Sequence, residues 1–143
     1  MTTTDRSLEE LTVQTCVELA SSVPIGRLAV AFPGEPPLVV PVNFVLDGQV
    51  VMFRTGAGQK LRWLRQQPAS FEVDYIDYLR LAGWSVLFQG IAYEATPYEI
   101  ATAGLEVEPW PGPRPSWIRL IPASITGRRI ELHTPERDGV GYL

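Results

Sequence analysis

The chain has 143 residues, 45% of them hydrophobic and 20% charged, which is the size of one domain whose apolar core folds it without staples. One cysteine, Cys16, and one histidine, His133, exclude an intrachain disulfide and every Cys/His zinc pattern, so no metal is expected. A net charge of −4 offers no positive field to a nucleic-acid backbone, and no apolar stretch approaches the roughly 20 residues of a membrane helix.

Residues 1–10 hold Asp5, Glu9 and Glu10 and no apolar run, so they read as a flexible tail without a secretory leader, and a cytoplasmic protein is expected. Thr12 as N-cap ahead of Val13, Cys16, Val17 and Ala20 predicts a short helix that Ser21, Ser22 and Pro24 close. The texture then turns to β, with strands predicted over 27–32, 38–46 and 49–55. Asp47-Gly48 between the last two predicts a two-residue type I′ hairpin, because that turn needs positive φ at both positions.

Gly56-Ala57-Gly58 leads into a predicted helix over 59–67, stopped by Pro68. Strands follow over 70–75 and 85–94. Thr96-Pro97-Tyr98-Glu99 holds a Thr cap, Pro at the first helical position and Glu at the third, a capping box that opens a helix running to about Leu105. Pro109, Pro111, Pro113 and Pro115 make the next stretch a semi-rigid loop, read either as a surface connection or as a lid carrying Trp110. Two last strands are predicted over 117–121 and 125–132, with a tail from 134 to 143. Six or seven short strands joined by connections too short for parallel crossovers predict a single mainly β (α+β) domain. Its expected architecture is an antiparallel split β-barrel with short flanking helices.

Two stretches carry candidate chemistry. In Phe53-Arg54-Thr55-Gly56-Ala57-Gly58-Gln59-Lys60-Leu61 a strand passes through two glycines into a helix start. The turn's amides, the helix dipole, the Thr55 hydroxyl, Arg54 and Lys60 form a donor set suited to a phosphate. A Walker loop needs Gly directly before Lys, where Gln59 stands, and a dinucleotide fingerprint needs its third Gly where Leu61 stands. In Val39-Val40-Pro41-Val42-Asn43-Phe44 a proline sits inside a strand, which confines that strand to an edge and frees nearby backbone groups. Asn43 offers a donor and an acceptor, and Phe44 an apolar face, suited to a flat heterocycle. The plainer readings, a solvated glycine turn and a barrel edge with one outward polar residue, stay open at this point.

Together with Val23-Pro24-Ile25-Gly26-Arg27-Leu28, Gly83-Trp84-Ser85-Val86, Gly90 and Ile125-Thr126-Gly127-Arg128-Arg129, these stretches agree in order and spacing with one family. The chain resembles the flavin-binding split barrels related to pyridoxamine 5′-phosphate oxidase, in their short bacterial branch. The resemblance implies an FMN-binding homodimer with each flavin in a cleft between subunits. It places Pro41, Val42, Asn43 and Phe44 along the isoalloxazine edge, Arg54, Thr55, Gly58, Lys60 and Leu61 at the phosphate and ribityl chain, and Trp84 and Ser85 as arrivals from the other subunit. The longer oxidases carry an Arg-Lys pair where Gln59-Lys60 stands, a glutamine where Ser85 stands, and a C-terminal extension with a substrate-binding arginine. Pyridoxamine 5′-phosphate is therefore not the expected substrate, and another small molecule is.

The remaining candidates are weak. His133 lies in a polar tail without a paired nucleophile, Cys16 reads as a small core residue, and Glu72, Asp74 and Asp77 read as an exposed strand face. Of Arg128 and Arg129, alternation along a strand lets at most one meet an anionic substrate. The expected function is an FMN-dependent oxidoreductase with no assigned catalytic residue. Its alternatives are a deazaflavin- or haem-binding relative and a flavin-holding module without turnover.

Overall fold

In the computed structural model, residues 9–54, 66–105 and 116–131 are described, and the account below concerns them. They form strand β1 (Glu9–Glu10), helix α1 (Val13–Ala20), strands β2 (Ile25–Val30), β3 (Leu38–Asp47), β4 (Val50–Arg54), β5 (Gln67–Asp77) and β6 (Ala82–Glu94), helix α2 (Pro97–Thr102) and strand β7 (Trp117–Glu131). Every pairing is antiparallel. The order β7-β4-β3-β2-β5-β6 closes through β6–β7 into a six-stranded barrel, with β1 added to the free edge of β7.

Alternation builds the core. Leu28, Phe53, Phe71, Val73, Phe88 and Leu120 point inward and are fully buried. Phe71 sits at the centre, edge-on to Phe44 at 5.0 Å and stacked on Phe53 at 6.0 Å. Cys16 and Ala20 of α1 close one region of this core, and burial raises the Cys16 thiol pKa, as befits an inert filler. Helix α2 covers the other face of β4, where Ile100 and Ala95 pack on Met52.

The capping box is present as expected, with Thr96 accepting from the Glu99 amide and Glu99 accepting from the Thr96 amide. Helix α2 nevertheless stops at Thr102, and Gly104 at φ 74° turns the chain away before Leu105. The hairpin turn lies one residue later than expected. Asp47 pairs with Val50, so the turn is Gly48-Gln49, with positive φ at Gly48 alone, which fits type II′ rather than I′.

Three further expectations are corrected. Gln67 and Pro68 begin β5 rather than ending a helix; β2 joins β5 only from Ser70, so the proline faces an open edge at the strand's start. The two last strands are one, β7, continuous through Pro122 because a bulge opposite Gln89/Gly90 absorbs the irregularity. Glu9–Glu10 pair with Arg129 and Arg128 instead of lying in a tail. The glycine turn, the helix expected from residue 59, the proline stretch from Pro109 to Pro115 and His133 lie outside the described residues.

Gly90 lets β6 and β7 approach at the bulge, since an added Cβ would stand 1.9 Å from the Ile121 carbonyl oxygen. Gly90→Ala is expected to destabilise the fold by about 3 kcal/mol, the upper part of the usual overpacking range, read from the midpoint of chemical denaturation.

Candidate functional site

Strand β3 is paired with β2 over Leu38–Asn43 on one side, and β4 meets its other side only from Phe44 to Asp47. Beyond Phe44 that side of Leu38–Asn43 has no strand partner among the described residues, so Pro41 stands at an open edge, as its missing N–H requires. Arg54 ends β4 one register step past the Phe44–Phe53 pair, which brings it beside Asn43. Its guanidinium lies over Trp117, 5.7 Å from the ring centroid. The described part of the glycine-turn stretch, Phe53–Arg54, therefore lies beside the open edge of the stretch around Pro41. Thr55, Gly58, Lys60 and Leu61 follow directly, outside the described residues.

Along β3, Pro41 and Asn43 are exposed and Val42 is half-buried against the core. The ring of Phe44, at 8% exposure and edge-on to Phe71, packs in the core rather than on the outer face. Trp84 packs likewise. It is 7% exposed within the core, so only Ser85 of that pair is on the outer face; alternation turns neighbours to opposite sides.

The outer face of the sheet is read in rows of register partners. One runs Pro41–Arg27–Glu72–Leu87–Thr126 across five strands, and the next runs Asp74–Ser85–Arg128–Glu10. Arg27 Nη1 donates to Glu72 Oε1 at 3.1 Å and to Asp74 Oδ2 at 3.0 Å. One cation thus serves two carboxylates. Burial first, then the adjacent Asp74 carboxyl, push Glu72 up to about 7, against the pull of Arg27. In the sequence these acids read as an exposed strand face; their pairing with Arg27 depends on the β2–β5 register. Apolar residues share the outer surface: Ile25 is 51% exposed, Val39 59% and Val45 41%.

A carboxyl whose pKa is higher folded than unfolded contributes stability in its protonated form. That contribution is full below the ordinary glutamate value and lost as pH rises through about 7. Thermal stability is expected to decline across that window on account of Glu72, and Glu72→Gln, which keeps the uncharged form, is expected to flatten the decline in melting scans at stepped pH.

The family model described as pyridoxamine 5′-phosphate oxidase matches residues 12–129. Among solved structures, the chain is similar to an FAD binding protein from Mycobacterium smegmatis, with 31% identity, 86% of this chain and 98% of that one covered, and a TM-score of 0.72. It is also similar to a pyridoxamine 5′-phosphate oxidase candidate from Corynebacterium glutamicum, with 32% identity, 92% and 99% covered, and a TM-score of 0.73. A protein from Mycobacterium smegmatis that binds FAD and haem shares the fold alone, at 16% identity, 90% and 76% covered, and a TM-score of 0.65. No curated protein matches the chain. Among the described residues, no helix is long and apolar enough to cross a membrane.

Proposed function

The chain belongs to the pyridoxamine 5′-phosphate oxidase family, and from that premise we propose that it binds FMN and acts as an oxidoreductase on a small molecule. The observation that carries the reading is the open β3 edge at Leu38–Asn43 meeting Arg54 at the end of β4. A flat ring with donor and acceptor edges is suited to free backbone groups and Asn43, and its phosphate to Arg54, Thr55, the amides around Gly58, and Lys60 beside Leu61. When bound, the flavin supplies the redox chemistry, while the protein binds it, orients it and sets the charge around it. The FAD-binding relative at 31% identity favours FAD as the second reading; FAD carries the same ring, ribityl chain and first phosphate, so the same residues serve.

A homodimer belongs to this reading. Asn43 and Ser85 lie three strand spacings apart, about 14 Å along a convex barrel wall. A ring held at the β3 edge is therefore out of reach of the same protomer's Ser85, and a second copy supplies that contact. The exposed Ile25, Val39 and Val45 fit such an interface.

Purified protein is expected to show flavin absorption, or to gain it on addition of FMN, with extraction and chromatography separating FMN, FAD and a deazaflavin. Absence of all three would remove the proposal. Bound flavin without turnover of any nicotinamide donor or common acceptor would leave a carrier or sensor in place of an enzyme. Lys60→Ala is expected to weaken FMN by about 1.5–3 kcal/mol, the usual worth of a charge-assisted bond, in fluorescence titration. Ile25→Asp with Val39→Asp is expected to yield monomers in sedimentation and to lower flavin affinity together; monomers with unchanged affinity would reject a shared cleft.

A further inference from the structure

The outer face of β5, β6 and β7 holds a cavity of about 770 Å³, inside the range of roughly 300–1,000 Å³ usual for small-molecule sites. Ser85 and Arg128 are register partners across β6–β7, and Leu87 and Thr126 are the next pair on the same face. All four line the cavity, and Leu11 and Ile130 add apolar surface. The charge pattern singles out Arg128. Arg27, Arg80 and Arg119 each hold a carboxylate, Arg54 lies over Trp117, and Arg129 is engaged. Among the described arginines, Arg128 alone has no partner among the described residues.

A guanidinium that bonds no carboxylate among the described residues, flanked by two hydroxyls over apolar surface, is a donor set for a planar oxyanion. Glu10, next to Arg128 across β1–β7, and Glu72 also line the cavity and disfavour a second negative charge. We propose that this cavity binds a small monocarboxylate with an apolar body, its carboxylate on Arg128 between Ser85 and Thr126. The binding stands on the cavity itself. Its role as the substrate site rests on the flavin reading, in which Ser85 lies at the ring held by the partner copy.

The test titrates benzoate, with benzamide as the uncharged match in shape, into the full-length protein by calorimetry. Saturable benzoate binding without benzamide binding is expected, weakened about ten-fold or more in Arg128→Ala, the size of one charge-assisted bond. Arg128→Lys is expected to fall between the two, since an ammonium keeps the charge but not the fork. Arg128→Gln, which keeps the stem and drops the charge, replaces the alanine variant if that one does not fold. Equal benzoate affinity in wild type and either uncharged variant, or no saturable binding in wild type, overturns the proposal. Flavin uptake is read separately from visible spectra of the same wild-type sample. Benzoate binding without flavin uptake would retire the flavin reading and keep the anion site, whereas flavin uptake without benzoate binding would do the reverse.

Discussion

The interior of this barrel is full. Six strands enclose Leu28, Phe53, Phe71 and Phe88, all fully buried, and Phe71 alone stacks on Phe53 and meets Phe44 edge-on. A small barrel packed to the density of a protein interior has no space for a ligand the size of a flavin. Any binding site therefore belongs on the outside, at an edge or across a face, and the chemistry must come from residues that alternation turns outward. Pro41, Asn43, Ser85 and Arg128 meet that condition. Phe44 and Trp84, attractive as ring partners because they are aromatic, are spent on the core instead.

The same wall explains how the outer face is organised. Antiparallel register lays residues from five strands into single rows, so Arg27 on β2 comes to neutralise carboxylates on β5, 45 and 47 positions further along the chain. Two acids sharing one cation in a half-buried setting leave Glu72 poised near neutrality. Arg128, two strands away from Asp74, has no such partner among the described residues. One cluster is internally satisfied and the other is not, and this difference sets the structural pair apart from the candidate binding group.

Local signals were readable where short-range chemistry decides the outcome. The capping box at Thr96 and Glu99, the Thr12 cap and the pairing of the third strand with the fourth all rest on contacts within a few residues. Errors came where distant segments decide. The sequence pattern divides 117–121 from 125–132, but thirteen pairings with β6 and a bulge at Gly90 carry one strand through Pro122. Glu9–Glu10 looked like tail because nothing in two acidic residues announces a strand; the free edge of β7 makes them one. The turn at Gly48 moved by one position because the strand register, not the Asp-Gly pair alone, chooses which residues sit at its tip.

The amino-acid order by itself determined the mainly β class, the family, and the two stretches around Pro41 and Arg54, because periodicity, proline chemistry and motif spacing are properties of neighbouring residues. Only the tertiary structure decided that Arg54 comes to the open edge at Pro41 and Asn43, that Trp84 faces in while Ser85 faces out, and that Arg128 stands at a cavity without a partner among the described residues. Each of these depends on the register in which separate strands are joined, and register is set by the closure of the whole barrel rather than by any segment within it.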